Sequence, residues 1–238
     1  MDMAILRYAN RLISYYSRHG LLATLRRGKL AVRRALFANR QVVFYCDLTK
    51  QMQVVAELPP SLHVERLTNY TQLNAEDLKE LTSFWNPKQA HRNIQDRFER
   101  GAMLWLIRSG DKLAGYGWTV LGHTIAPYFF PVGENDVQLF DFYAFPKFRG
   151  RAIHLLLIAY ILQTMAAEGR TRAFGDTAEW NDAQLASFTM TPFRRLGFAR
   201  FMTIFGHNFV TWSGVDPAPT PCKIEKQTGK APSTASAI

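Results

Sequence analysis

Cysteine is scarce in this 238-residue chain: two residues, Cys46 and Cys222, lie far apart with neither metal-ligand nor redox spacing. A disulfide framework is therefore not expected, and a reducing compartment is. Histidine offers no metal centre, because the six residues are scattered without ligand spacing. Long apolar runs are missing. No stretch approaches the ~20 residues that span a bilayer, so no transmembrane helix is predicted. The first 30 residues also lack the continuous apolar segment of a cleaved signal peptide. Acidic residues are short in one place only. The chain carries 29 Lys and Arg against 19 Asp and Glu, a formal net charge of +10. Residues 1–40 hold nine of those cations and one acid, Asp2, which is +8; residues 41–238 hold 20 cations and 18 acids, which is +2. The body of the protein is thus close to neutral and has no base-stacking motif, which argues against nucleic acid as a partner.

One stretch concentrates the chemistry. Val137 to Phe145 is almost entirely apolar and predicts a strand buried on both faces of a sheet, with Asp141 its only acid. Pro146 cannot donate to a ladder and stops the pairing. A basic turn, Lys147-Phe-Arg-Gly-Arg151, leads into a helix over residues 152–167, where Ile153, Leu156, Leu157, Tyr160, Ile161 and Met165 recur near helical spacing. Gly169 ends it. Such a strand, glycine-containing turn and helix start can hold an anion. Unpaired N–H groups and the positive end of the helix dipole face the turn, and Arg149 and Arg151 add charge there. A phosphate or pyrophosphate is the natural guest; an ordinary strand-to-helix connection with solvated arginines is the competing reading.

Asp141-Phe-Tyr-Ala-Phe-Pro-Lys-Phe-Arg-Gly-Arg-Ala-Ile153 resembles, without a gap, the acyl-CoA-binding segment of the GNAT N-acyltransferases, whose consensus is similar to L-Y-V-x-P-x-Y-R-G-x-G-I-G. The resemblance implies that the turn at Arg149, Gly150, Arg151, Ala152, Ile153 and His154 cradles the CoA pyrophosphate. It also implies that the strand before the turn, at Phe142 and Ala144, hydrogen-bonds the pantetheine. Two positions depart from the family. Ala152 stands where the family has Gly, a mild change if the backbone is helical there. His154 stands where Gly or Ala is usual, and either crowds the pyrophosphate or adds a donor to it. Glu179-Trp-Asn181 and Leu196-Gly-Phe198 resemble a second family segment, E-x-N followed by L-G-F, in which the Asn helps to hold the cofactor. Asn181 is carried over on that resemblance, although the two pieces are farther apart here than is usual.

The rest of the chain fits the same plan. Residues 4–38 predict two basic helical pieces hinged at His19-Gly20, the first with an apolar stripe of Leu6, Ala9, Leu12, Ile13 and Tyr16. Such an arm suits an anionic membrane surface or an acidic partner such as an acyl carrier protein, or else packs on its own domain. Strands are predicted over 41–48, 63–67, 103–107, 113–121 and 171–177, with a last pair over 200–210. Helices are predicted from Asn74 to about Phe84, from Pro87 to Arg100, and from Asn181 to Leu196 with an interruption near Pro192. Residues 122–133 read as an aromatic, proline-bearing excursion, and the chain beyond Val215 as a disordered tail. The expected fold is α/β: a GNAT-like mixed, mostly antiparallel sheet flanked by helices, with an N-terminal basic helical arm. Its parts are the arm at 1–40, an acyltransferase domain at 41–213 with its core at about 60–212, and the tail at 214–238.

Acyl transfer from a thioester to an amine needs a neutral amine, a polarised carbonyl oxygen and a protonated or stabilised thiolate. Backbone N–H groups at Phe142 to Ala144 are candidates for the carbonyl. Asp141, read as a partly buried carboxylate that accepts the amine proton, is the candidate base, with Glu134, Asp136 and Glu179 as substitutes. Many family members place a Tyr four residues before the Gly of L-G-F; here Phe193 stands there and cannot donate a proton, so either Tyr143, Tyr128 or another hydroxyl replaces it, or the thiolate leaves unassisted, or catalysis is absent. The expected activity is acyl-CoA-dependent N-acylation, foremost N-acetylation, of a primary amine on a small molecule or peptide. Acetyl-CoA or another acyl-CoA is the co-substrate, transfer is direct, and no metal takes part. The alternatives are an acyl-carrier-protein donor and a non-catalytic GNAT-fold module for binding or anchoring. The expected location is cytoplasmic, with the arm peripheral on the inner face of the membrane.

Overall fold

Eight runs pair into one mixed sheet in the computed structural model, which describes residues 20–22, 24–25, 28–29, 40–50, 58–83, 87–125, 132–204 and 207–214. The strands are β1 (Arg40–Asp47), β2 (Leu62–Leu67), β3 (Met103–Ser109), β4 (Lys112–Leu121), β5 (Asp136–Ala144), β6 (Arg172–Ala178), β7 (Arg194–Ile204) and β8 (His207–Ser213). The helices are α1 (Ala75–Thr82), α2 (Pro87–Glu99), α3 (Ile153–Ala167) and α4 (Asp182–Phe188). Strand order across the sheet is β2-β3-β4-β5-β6-β1-β7-β8. Every neighbouring pair is antiparallel except β5 with β6. That one parallel pair needs a crossover, and α3 supplies it.

The helices divide between the two faces of the sheet. α2 buries Ala90, Ile94 and Phe98 at four-residue spacing, and the Phe98 ring meets Trp118 of β4 edge-on, with 5.0 Å between centroids. Gly115 lies three residues from Trp118 and so points to the opposite face, where α3 packs. A Cβ at Gly115 would stand 2.7 Å from the Tyr143 carbonyl oxygen and 3.0 Å from Ile153 Cγ2. Glycine at this position therefore lets the first residue of α3 rest on the sheet. The helix buries Ile153, Leu157, Ile158, Ile161, Leu162 and Met165. It ends at left-handed Gly169, whose N–H donates to the Ala166 carbonyl while that of Arg170 donates to Met165.

Several expectations change. The strand read as buried on both faces is buried from Asp136 to Leu139 and part-exposed from Phe140 onward, because β6 has by then separated from it. The helix expected from Asn181 to Leu196 is the seven-residue α4 alone. Thr189 and Thr191 donate their hydroxyls back to the Ala186 and Phe188 carbonyls, and Pro192 has no N–H with which to continue. Leu196-Gly-Phe198 consequently lies inside β7. β1 differs most. A core of about 60–212 leaves it out, yet it lies inside the sheet, pairing with β6 on one side and β7 on the other, with Val42 and Val43 buried. The arm falls outside the described residues except at helical positions 20–22, 24–25 and 28–29, as do residues 126–131 of the aromatic excursion and the tail beyond 214.

Candidate active site

β5 and β6 pair from Asp136–Arg172 to Leu139–Gly175 and then part. Beyond that rung β5 continues only with β4, and β6 only with β1. A bulge accompanies the parting. Tyr143 opposes Tyr116 and Phe140 opposes Trp118, so Asp141 and Phe142 together face Gly117. Asp141 takes a left-handed conformation, φ 50°, and the Phe142 ring lies where a Cβ at Gly117 would be. The resulting wedge opens toward the C-terminal ends of two parallel strands, the end at which open α/β sheets bind ligands.

The β5–α3 connection stands at that same end. Pro146–Phe148 form one 3-10 turn with Phe148 buried. The chain is then left-handed at Gly150 (φ 77°) and again at Ala152 (φ 55°, ψ 19°), where α3 begins. Asp141 and Ala152 are the only non-glycine residues with positive φ among the described residues, and they bracket this segment. Strain of this kind gathers at functional sites, where the surroundings must hold it in place. Leu156 N–H donates to the Ala152 carbonyl, so the N–H groups of Ile153, His154 and Leu155 precede the first helical bond. No acid lies in that first turn, and a Cβ at Gly150 would meet nothing within 4 Å. A pyrophosphate fits this mouth: it is open, fringed by helix-start donors, and flanked by Arg149 and Arg151.

Ala152 departs from the sequence reading, which takes the backbone there as helical. A left-handed alanine costs roughly 1–2 kcal/mol. Ala152→Gly is therefore expected to raise the unfolding free energy by about 0.5–1 kcal/mol, after glycine's own entropic cost is subtracted. Urea denaturation measures this. A loss of stability would place residue 152 in a right-handed helix.

The side chains around the turn divide into two groups. Arg149 Nη2 donates to the Tyr143 hydroxyl at 3.3 Å, and Tyr143 stacks on Tyr116 with 5.7 Å between centroids. Arg151 lies over the Phe148 ring. Phe142, Tyr143, Ala144, Arg149, Gly150, Arg151, Ala152 and Ile153 thus run along the wedge and its turn, although the Ile153 side chain itself is buried. His154 and Asn181 are engaged elsewhere. His154 Nε2 is 2.5 Å from Ser187 Oγ of α4, and burial pushes the imidazole pKa down. The side-chain oxygen of Asn181 caps α4 by accepting from Gln184 N–H at 3.3 Å. Phe193, in the position of the absent tyrosine, is buried against Phe188, and Tyr128 lies outside the described residues.

The carboxylates sort by their partners. Asp141 is not partly buried as read. Its side chain is 37% exposed, and it accepts from Arg97 Nη1 of α2 at 2.5 Å. Asp136 is buried but saturated: Arg172 donates from Nε (2.9 Å) and Nη2 (2.6 Å), Gly133 N–H at 2.6 Å, and Thr171 Oγ1 at 3.2 Å. Glu179 lies 3.3 Å from Arg40 Nε, and Glu134 is exposed on a turn. A carboxylate that the sequence reading omits is Asp176, one residue past the last β5–β6 rung. Burial pushes its pKa up to about 7, against a smaller opposing effect from its hydrogen bond to Gln138. The folded-state value lies above the unfolded one. The stability this contributes is therefore full below the ordinary carboxylate range and is lost as pH rises through about 7. No local pattern marks this residue; only the pairing of β6 with β5 and β1 reveals it.

The wedge between two parallel strands and the strained turn at a helix start together offer room and N–H donors for an anionic, extended ligand on a mixed α/β fold. The sequence profile of the acetyltransferase (GNAT) family matches residues 70–191, which run from just before α1 to just past α4. The chain belongs to that family. β1, β2 and the β7–β8 pair lie outside the matched stretch. Among solved structures, a functionally unknown conserved protein from Staphylococcus epidermidis is 7% identical, with 67% of this chain and 58% of that one covered and a TM-score of 0.46. A GNAT-family acetyltransferase from Colwellia psychrerythraea is 16% identical, covering 66% and 52%, with a TM-score of 0.46. A tandem GNAT protein of the clavulanic acid biosynthesis pathway is 14% identical, covering 66% and 50%, with a TM-score of 0.47. This chain therefore spans 50–58% of the length of these three structures. No curated protein matches it.

Proposed function

We propose that the protein transfers an acyl group, foremost acetyl, from the thioester of an acyl-CoA directly to a primary amine on a small molecule or peptide. The observation that carries this reading is the left-handed pair Gly150 and Ala152 at the start of α3, beside the parted ends of β5 and β6. The turn amides and Arg149 and Arg151 hold the pyrophosphate. The pantetheine follows the wedge along Phe142 to Ala144, in place of the strand pairing that β6 gives up. Bound in this way, acyl-CoA brings a thioester carbon that an amine can attack. The chain's own part is to hold that carbon near the bulge at Asp141–Phe142 and to keep the attacking nitrogen neutral. Tyr143 lies on the α2 face, and its hydroxyl, oriented by Arg149, is the candidate donor to the departing sulfur.

Binding to the folded chain stabilises it by about 2.7 kcal/mol at a hundredfold excess over Kd, which is a rise in Tm of roughly 5–10 °C at this size. Acetyl-CoA and CoA are expected to give such a rise, and Arg149→Glu is expected to remove it. An unchanged midpoint at millimolar CoA contradicts the reading.

A second part of the reading concerns location, and the exposed leucines of the arm favour it. Leu21, Leu22 and Leu25 are 59–75% exposed, among residues 1–40 that carry +8. The arm joins the sheet at the wedge end: the Arg40 carbonyl accepts from Glu179 N–H at 3.2 Å, two residues before Asn181. In this reading the arm docks on an anionic bilayer and brings the site to that surface. Docking on an acyl carrier protein is the alternative.

A further inference from the structure

The geometry points to Asp176, rather than Asp141, as the general base that takes the proton from the acceptor amine, an inference that rests on the transferase reading above. Position is the first argument. The last β5–β6 rung joins Leu139 to Gly175, so Asp176 is the first residue of β6 whose β5 neighbour has moved away. It therefore lies at the apex of the wedge.

Orientation is the second argument. Side chains alternate along a strand, so Gln138 and Phe140 share one face of β5. That face is the one of α2, because Phe140 stacks on Trp118 and both lie under Arg97. Asp176 is hydrogen-bonded to Gln138 and so faces the same way. α3 and the pyrophosphate turn belong to the other side. A donor threading the wedge would then have its thioester between the turn behind and Asp176 in front, on the side from which an acceptor approaches.

The third argument is that Asp176 is held without being neutralised. Gln138 is 2% exposed, and its Oε1 accepts from Ile125 N–H at 3.0 Å. The Gln138 amide N–H₂ is thereby turned toward the Asp176 carboxylate, which it orients through a neutral hydrogen bond. Val43 of β1 is directly opposite Asp176, with Tyr45 next along that face; Phe174 and Ala178 flank it on β6. Arg172 and Asp136 share this face beyond Phe174 and are bound to each other. No charged group is among those that shift Asp176. Asp141, Asp136 and Glu179 each already lie against an arginine. Among these carboxylates Asp176, part-buried between its strands, is the one whose pKa is pushed up to about 7, where a base is present in its ionised form yet still holds a proton well.

The step balances as follows. The acceptor arrives as R–NH₃⁺, and the Asp176 carboxylate takes one proton, directly or through one water. The freed lone pair attacks the thioester carbon, a C–N bond forms, and the C–S bond breaks. The departing thiolate takes the Tyr143 hydroxyl proton and the nitrogen's second proton restores the tyrosine, leaving an amide and CoA–SH. Asp176 returns its proton to solvent.

Asp176→Asn keeps the shape of the side chain and removes the basicity. The test uses the full chain, acetyl-CoA, and three amine probes, glucosamine, spermidine and a glycine-ended peptide, with water as the default acceptor. Released thiol is measured from pH 5.5 to 9. The expected result is a wild-type kcat/KM that falls below about pH 7 and a kcat at least ~100-fold lower in Asp176→Asn. The acid limb of that variant should be flattened and its thermal shift with acetyl-CoA unchanged. Asp141→Asn should keep the limb. If Asp176→Asn retains both wild-type rate and acid limb, the inference is overturned while the transferase reading stands. If the limb disappears in Asp141→Asn instead, the base is Asp141. If the wild type is neither stabilised by acetyl-CoA nor able to release thiol, the transferase reading fails and this inference fails with it.

Discussion

Gly115→Val is expected to destabilise the protein by about 3 kcal/mol or more, the range of severe overpacking against a group that cannot yield. The Cβ would stand 2.7 Å from the Tyr143 carbonyl oxygen, and Ile153 Cγ2 and Ile107 Cγ2 follow at 3.0 and 3.3 Å. Side chains can turn away, but the carbonyl belongs to β5 and cannot move without taking the bulge and turn with it. A loss of this size lowers Tm by roughly 6–12 °C in a domain of 150–250 residues. It should also abolish stabilisation by CoA, since α3 and the end of β5 are displaced together. Gly133→Ala is the comparison. The nearest atom there, Asp136 Oδ2, is at 3.4 Å, an ordinary contact, so a change of about 1 kcal/mol or less is expected. Equal losses in the two variants would contradict the close packing of α3 on β4.

The full chain is expected to pellet with anionic vesicles, weakly with neutral ones, and less as salt rises. Each basic residue near an anionic surface is worth about 1 kcal/mol, so half of the arm's charges would supply roughly 4 kcal/mol before any leucine inserts. The truncated chain for comparison must keep β1. Arg40 lies against Glu179 and over the Phe198 ring, and residues 41–47 pair with β6, so a start at Asn39 is the shortest sound choice. A start near Val42 would cut into a strand inside the sheet. Chains starting at Asn39 should stay in the supernatant. Equal partition of the two chains would mean that the arm packs on its own domain, and capture by an acyl carrier protein without vesicle binding would assign the arm to a protein partner.

What was legible in the sequence was local. Pro146, the basic turn, the apolar run after it and Gly169 mark β5, the turn and α3 with little help from the rest of the chain. Asn74 and the acids after it mark the start of α1, where the Asn74 side chain accepts from Asp77 N–H at 2.8 Å. What stayed hidden depends on partners far away in sequence. β1 reads as an early strand, but nothing in residues 40–47 says that β6 and β7 will close around it. Asp141 reads as the one acid of a buried strand, whereas a bulge opposite Gly117 turns it out toward Arg97. Asp176 reads as an ordinary polar position and is part-buried only because strands pair on its flanks. The left-handed backbone at Ala152 was hidden for a different reason. Alanine is a good helix former, and tertiary packing of the turn overrides that preference.

The central claim is that the turn at residues 149–154 holds the diphosphate of CoA. Titration calorimetry of CoA into the wild-type chain and into Arg149→Glu tests it most directly. Reversing one charge beside a diphosphate forfeits a charge-assisted contact of about 1.5–3 kcal/mol, and each 1.4 kcal/mol is about tenfold in Kd. A saturable wild-type isotherm that weakens by at least ~10-fold in Arg149→Glu is the predicted result. Wild-type and variant isotherms that superimpose, or no heat from either at millimolar CoA, would contradict it.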